Sequence, residues 1–295
     1  MATGINTTNT FSDSMDDIRA AARTRREYDT VMGRIVDTVR LPENSGINWR
    51  EVILEKLTAT GIDEITDLEQ NPQEVVDALF SLAPTIVGLS VMYTDRAKLK
   101  MSKEVAAKLG VLTENAMLRK SDVDMIAAGQ AATTALGPAG NPFSSDIVSA
   151  GVSIVRGNTT EPWDGPVAVV ARTFQIKDLQ DEAVGGYGTY PTYPGSIAEK
   201  TLRSGFNDDL YTASVNADDN MSVDGSDDSI AFIVASGPNS AIVRVTDEVA
   251  RRITVRRENI GTGAEILFCT DSYGLGIRQQ AWIRAATADS ATPTA

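Results

Sequence analysis

The sequence predicts an α+β fold. Its C-terminal half carries a ladder of short β-branched runs, SIAFIVAS, SAIVRV, RRITVRR and AEILFCT, which read as strands. One stretch, residues 102–136, keeps a 3.6-residue apolar period and reads as a long helix. Only a few further helices accompany the strands. No internal repeat or long low-complexity tract imposes a repeating unit.

Composition narrows the function. At 295 residues the chain has room for one large domain or two ordinary ones. Folding at this length buries roughly 75% of the extended chain's surface. Apolar residues make up 42%, the ordinary share for a globular protein. No apolar run approaches the ~20 residues of a membrane span. Residues 1–15, MATGINTTNTFSDSM, lack the basic start and apolar centre of a secretory signal, so cytoplasmic synthesis without a membrane anchor is expected. The net charge of −13 argues against a dedicated nucleic-acid binder, which needs a basic face to displace counterions.

Histidine is absent, which removes His-based triads, His general bases and His metal ligands. The one cysteine, Cys269, sits in the apolar run ILFCT and reads as a buried packing residue. One cysteine cannot form an intrachain disulfide, and a Cys-based zinc site needs more ligands. No complete GxxxxGKS/T, GxGxxG or GxSxG motif occurs, and Gly261, Gly263, Gly274 and Gly276 form only GxG fragments. No catalytic residue, cofactor site or metal site is expected. A carboxylate pair acting as acid and base is the enzymatic chemistry left open.

Residues 1–11 are polar. Residues 12–40 read as an amphipathic helix, capped by Ser12 or Asp13, with Asp16 and Asp17 in the first turn, where the dipole favours anions. Its apolar residues are Ile18, Tyr28, Val31, Met32, Ile35 and Val39, and such an arm can dock outside its own core. Residues 41–58, LPENSGINWREVILEKLT, carry two patterns. Period 3.6 places Trp49, Val52, Ile53, Lys56 and Leu57 on one helix face; period 2 places Trp49, Ile53 and Leu57 on one strand face, with Glu51 and Glu55 between them. The acidic, turn-like GIDEITDLEQNP follows. Asn71-Pro72 can start a helix before VVDALFSL, or that run is a strand after a bend.

PTIVGLSVMYTD, residues 84–95, reads as a strand. Within the long helix, Val105, Leu109, Leu112, Ala116, Val123 and Ile126 recur at steps of three, four or seven, and Gly110 is a candidate break or bend. LGPAGNP, residues 136–142, is a turn. Ser144 or Ser145 then caps a second helix, with Ile147, Gly151, Ile154 and Val155 on its apolar side. PVAVVA, residues 166–171, is a short buried strand, followed by a small helix near 173–183. VGGYGTYPTYPG, residues 184–195, has no Lys or Arg to fix a phosphate, so it reads as a mobile surface loop rather than a ligand cradle. SIAEKTLRSG reads as a short helix. Residues 204–243 lack Lys and Arg but carry Asp208, Asp209, Asp218, Asp219, Asp224, Asp227 and Asp228. Their spacing does not fit an EF-hand loop, so a solvated acidic loop is expected rather than a calcium site. YGLGIRQQAWIRA closes the strand ladder.

The order of these elements resembles the major capsid protein family of tailed double-stranded DNA bacteriophages. An arm leads into LPENSGINWREVILEKLTATGIDE, then PTIVGLSVMYTD, then a long helix with Asp124 at its centre in KSDVDMIAAG. A small α/β segment and YGLGIRQQAWIRAATAD follow. The resemblance covers nearly the whole chain through short, degenerate motifs. The run from Pro84 through Val87-Gly88 to Thr94-Asp95, and the late Tyr273-Gly274, are its most specific parts.

The resemblance implies an N-terminal arm at 1–40, an extended two-stranded loop (E-loop) at 41–83, and a peripheral domain at 84–159 and 249–295. An axial domain at 160–248 is inserted between the peripheral halves. It implies no enzymatic activity. It implies that subunits assemble as pentamers and hexamers into an icosahedral head, a virion capsid built in the host cytoplasm around double-stranded DNA that is enclosed without sequence-specific binding. Implied partners are the portal protein, a decoration protein and a scaffolding protein. The arm runs straight into the E-loop, so a separate scaffold is expected rather than a fused one. The E-loop packs on a neighbouring subunit, which explains an ambiguous local pattern.

Candidate inter-subunit contacts are Trp49, Glu51, Ile53, Glu55, Lys56 and Leu57 on the E-loop, and Arg251, Arg252, Arg256 and Arg257 on the neighbour. Region 46–70 carries Glu51, Glu55, Asp63, Glu64, Asp67 and Glu69 against Arg50 and Lys56, and Arg244 joins the later arginine cluster. Each exposed pair contributes only ~0–1 kcal/mol, so repetition around a closed lattice and apolar burial by Trp49, Ile53 and Leu57 must set the register. Lys56 is the only Lys in that ribbon and so the only candidate there for a Lys–Asn crosslink, but nothing singles out an Asn partner and no crosslink is expected. An encapsulin-type nanocompartment shell is the alternative of similar fold and length, holding a protein cargo. A soluble carboxylate-based hydrolase is the third reading, and requires a pocket with a carboxylate of raised pKa.

Overall fold

Among the described residues the β-branched runs pair into two six-stranded sheets and one two-stranded ribbon. The computed structural model describes residues 5–6, 30–41, 48–59, 61, 74–100, 103–133, 135–185, 209–247, 252–258 and 263–293. In chain order the strands and helices are β1 (Ile5–Asn6), β2 (Asp37–Arg40), β3 (Trp49–Leu54), β4 (Asp77–Leu82), β5 (Thr85–Thr94), α1 (Asp95–Lys100), α2 (Lys103–Gln130), β6 (Ala135–Leu136), α3 (Ser145–Arg156), β7 (Val167–Ala171), α4 (Thr173–Gly185), β8 (Asp209–Leu210), β9 (Ala213–Ala217), β10 (Asp228–Ala235), β11 (Ile242–Thr246), β12 (Arg252–Glu258), β13 (Ala264–Ile277) and β14 (Ile283–Asp289). Short 3-10 turns stand at Met32–Arg34 and Gln280–Trp282. The class is α+β.

The first sheet runs β1-β5-β13-β11-β2, with β12 also paired to β13; the second runs β6-β14-β10-β7-β9-β8. β13 is long enough to pair along one side with β12 and then β11, and along the other with β5. AEILFCT and YGLGI therefore form one continuous strand, not two. Strand pairing also crosses the expected divisions of the chain. β11, inside 160–248, lies in the first sheet, and β14, inside 249–295, lies in the second between β10 and β6.

The main core surrounds the second sheet. All five residues of β7 are buried, as the continuous apolar run PVAVVA requires. α2 and α3 approach this sheet so closely that a Cβ on Gly129 would lie 2.7 Å from the Phe232 ring, and one on Gly151 would lie 2.8 Å from Ile233. A smaller cluster of Leu41, Val243 and Val245 packs against Trp49, Phe80 and Leu82 at the base of the β3–β4 ribbon. Cys269 is buried in β13.

Several local readings change. Residues 30–40 are a 3-10 turn and a strand rather than a helix, because Asp37–Arg40 pairs in parallel with β11. VVDALFSL yields a strand over its last six residues, paired with β3. α2 is continuous through Gly110 and ends at Gln130, short of 136. Its buried residues are Thr113, Met117, Ser121, Asp122, Met125, Ile126 and Gly129; Ile126 belongs to the predicted stripe, whereas Leu112 and Val123 of that stripe are exposed. Small side chains let the helix approach its neighbours, and close approach outweighs bulk apolarity. On α3, Val148, Val152 and Val155 are buried while Ile154 is exposed. Of the aspartates expected in a solvated loop, Asp224 and Asp227 are exposed, but three others are structural. Asp218 and Asp228 are buried, Asp219 accepts both the N–H and the hydroxyl of Thr173, and Asp228 accepts the Gly140 N–H. The helix expected within 12–29, the start at Asn71-Pro72, the loop after Gly185 and the SIAEKTLRSG helix lie outside the described residues.

Candidate functional site

Residues 49–54 resolve their double pattern as a strand. β3 pairs antiparallel with β4, Trp49 opposite Leu82, Glu51 opposite Phe80, and Ile53 opposite Ala78. Trp49, Glu51 and Ile53 form the half-covered face, and Trp49 meets Phe80 edge-to-face with ring centroids 6.0 Å apart. The opposite face carries Val52, Leu54 and Leu79, which are 56%, 66% and 61% exposed. Leu57, Val75 and Val76, just beyond the paired residues, are also exposed. Among the described residues no third strand joins this ribbon. A lone two-stranded ribbon is marginal in water, and one that leaves an apolar face bare is marked for contact with another surface.

The base of the ribbon is held by Arg278, whose side chain is 5% exposed. Its Nε donates to Glu51 Oε2 at 2.7 Å, one terminal nitrogen to the Ser240 carbonyl at 3.0 Å, and the other to Asp37 Oδ2 at 3.1 Å. The guanidinium stands 5.9 Å from the Trp49 ring centroid. One planar fork thus ties the ribbon, β2 and the turn before β11 together, which a lysine could not do. Beside it lies a recess of about 260 Å³ lined by Glu51, Ile53, Glu161, Arg278, Gln279 and Trp282, among others. The GxG fragment Gly274–Gly276 serves packing here. A Cβ at Gly274 would lie 2.8 Å from the Ala83 carbonyl, and one at Gly276 2.6 Å from Leu82.

The other named residues divide by position. Glu55 continues the ribbon through its N–H to the Val76 carbonyl, and its side chain is exposed. Lys56 donates to the Thr159 carbonyl at 2.9 Å. Arg256 and Arg257 are exposed on β12, Arg256 near Glu258 at 2.9 Å and Arg257 near Asp95 at 3.1 Å. Arg252 begins β12 opposite Thr270, and Arg251 lies outside the described residues. Arg244 turns inward to Asp271 and stacks over Tyr273 at 5.0 Å. At the other end of β13, opposite Arg257, Tyr93 and Lys98 both donate to Glu265. Burial and the neighbouring Glu265 push the Tyr93 phenol up to about 12. The structure brings Glu51 to Arg278 within the same chain.

Val52, Leu54, Leu79 and Arg278 are absent from the sequence-derived contacts. WREVIL is apolar on both strand faces, so reading both would have exposed Val52 and Leu54. Arg278 carries no local signal.

A second cluster lies under the long helix. Asp122 is fully buried and Asp218 is 1% exposed, and their carboxyls face each other. Burial first, then Asp122, raises Asp218 to about 7. Nearby, Asp124 on the same helix accepts from the Tyr273 hydroxyl at 2.7 Å, joining α2 to the first sheet.

No family model and no curated protein matches the sequence. Solved structures do match in fold. The capsid of Helicobacter pylori bacteriophage KHP30 superposes with a TM-score of 0.71 at 13% identity, over 91% of this chain and 94% of that one. The capsid of Ralstonia phage GP4 gives 0.69 at 10% identity, over 95% of each chain. An encapsulin from Synechococcus elongatus PCC 7942 gives 0.62 at 11% identity, over 93% of this chain and 95% of that one. Among the described residues no helix is long and apolar enough to cross a membrane. The chain has the phage major-capsid fold, which encapsulins share.

Proposed function

We propose that this protein is a structural subunit that assembles through pentamers and hexamers into an icosahedral phage head enclosing double-stranded DNA, without catalysis. The observation that carries the reading is the capsid fold over more than nine-tenths of the chain. The uncovered apolar face of the β3–β4 ribbon supports it, since a subunit in a closed shell has a neighbour to cover that face. In this reading residues 1–40 are the arm, 41–83 the E-loop, and 84–159 with 249–295 the peripheral domain around an axial 160–248, with β11 and β14 exchanged between the two by strand pairing. The portal, a separate scaffold, a decoration protein and assembly in the host cytoplasm belong to the same reading.

The E-loop contact has two parts. Val52, Leu54 and Leu79, with Leu57, press on the neighbour, and Glu55 and the acidic stretch beyond it face Arg251, Arg252, Arg256 and Arg257. Trp49, Ile53 and Glu51 hold the ribbon to its own subunit, and Lys56 steadies it on Thr159. Arg252→Glu with Arg256→Glu should cut particle yield while leaving subunit melting unchanged. Normal yield from that double variant removes the arginines from the contact.

Electron microscopy of the purified protein, alone and co-expressed with its genomic neighbours, tests the whole reading. Closed icosahedral particles are expected; monomers under both conditions overturn it. The encapsulin likeness keeps one further outcome in view, shells filled with a protein cargo instead of DNA. The hydrolase reading loses support: of the two described carboxyls that burial pushes up, Asp218 is too buried to meet a substrate, and Asp178 accepts the Phe143 N–H and does not line the recess beside Arg278.

A further inference from the structure

The turn at residues 31–35, through which the N-terminal segment enters the described core, is fastened by two acids. Asp122, on α2, accepts the Met32 backbone N–H on Oδ1 at 3.2 Å and the Asn220 side-chain amide on Oδ2 at 3.0 Å. Asp218, in the loop after β9, accepts the Asn220 backbone N–H on Oδ1 at 3.0 Å and the Val31 backbone N–H. Its Oδ2 is buried and receives no donor among the described residues, while the carboxyl stands within hydrogen-bonding reach of Asp122. Two ionised carboxylates cannot hold this arrangement in a dry site. Like charges repel, and neither has a proton to give. A proton on Asp218 turns the orphaned oxygen into a donor to Asp122 and leaves a single charge, already met by the Met32 and Asn220 donors.

Among the described residues no cation relieves the pair. From α2, Asp122 is the charged group facing Asp218; Lys120 is engaged with Asp124. From the loop itself, Asp219 turns to Thr173 and Arg172. From the 31–35 turn come backbone N–H groups, while Arg34 is exposed.

We propose that Asp122 and Asp218 form a proton-operated latch. With one proton it clamps the 31–35 turn to the long helix and to the loop after β9; losing that proton releases the turn. The latch is a property of the single subunit and does not depend on the shell reading. The direction follows from linkage. Asp218 holds its proton in the fold to about 7, whereas in an unfolded chain an aspartate loses it near about 4. The clamp is therefore full below about 4, weakens as pH rises, and is lost above about 7.

Amide hydrogen exchange at Val31 and Met32 in the full-length subunit, corrected for intrinsic rate between pH 5 and 8, tests this. The local opening constant should rise by up to about tenfold per pH unit towards pH 7 and then level off. Asp218→Asn, whose amide donates to Asp122 at every pH, should be flat. A flat wild-type profile, or a variant with the wild-type slope, overturns the latch. Carbon-13 titration of the Asp218 carboxyl in the unaltered protein gives an answer without a variant. A midpoint near 7 supports the latch, and a midpoint near 4 overturns it.

Discussion

Arg278→Ala should lower the stability of the subunit by about 3–5 kcal/mol, the cost of removing one partner from a buried ionic cluster. The side chain is 5% exposed and is the cation of both Asp37 and Glu51, whose side chains are 19% and 28% exposed. Its loss leaves two half-buried carboxylates without their shared cation and the Ser240 carbonyl without its donor. It also removes the group under which Trp49 is held. Lysine should recover only part of the loss, because a point charge cannot serve three acceptors in one plane. Urea unfolding and the near-ultraviolet circular dichroism of the tryptophans measure the effect. A shift in the unfolding midpoint no larger than that of a surface substitution would show that the ribbon is held by its apolar base alone.

The largest effect on association should come from Val52→Asp with Leu79→Asp. The two residues lie directly opposite each other on the bare face of the ribbon. Both are more than half exposed, so the melting temperature of the subunit should hardly change. Covering a Val or Leu side chain is worth about 1.5–3 kcal/mol, and an aspartate buried without a partner adds a desolvation cost. Together these weaken each contact by more than about a hundredfold. Light scattering and electron microscopy should show folded subunits and few closed particles. Particles at the usual yield would mean that this face stays open to solvent in the shell.

The sequence by itself determined the α+β class, the positions of the main strands, the long helix to within a few residues, the buried strand PVAVVA and the burial of Cys269. These depend on the apolarity and β-branching of neighbouring residues, which any chain reports locally. It also carried the element order by which the capsid resemblance was read. Tertiary structure decided which faces count. WREVIL has apolar residues on both sides of a strand, and only pairing with β4 and packing on Leu41, Val243 and Val245 turned Trp49 inward and Val52 outward. In α2 the buried stripe runs through Thr113, Ser121 and Gly129, where Phe232 closes on Gly129 and Asp218 meets Asp122 of the same helix, not because those residues are apolar. The Asp-rich stretch looked like solvated charge because its partners, Asp122 and Thr173, lie far away in the sequence. Arg278 meets Glu51 across 227 positions and Asp37 across 241. Hydrogen bonds and ion pairs of that reach leave no periodic trace, since a polar residue is placed by its partner's geometry rather than by its own preference for water.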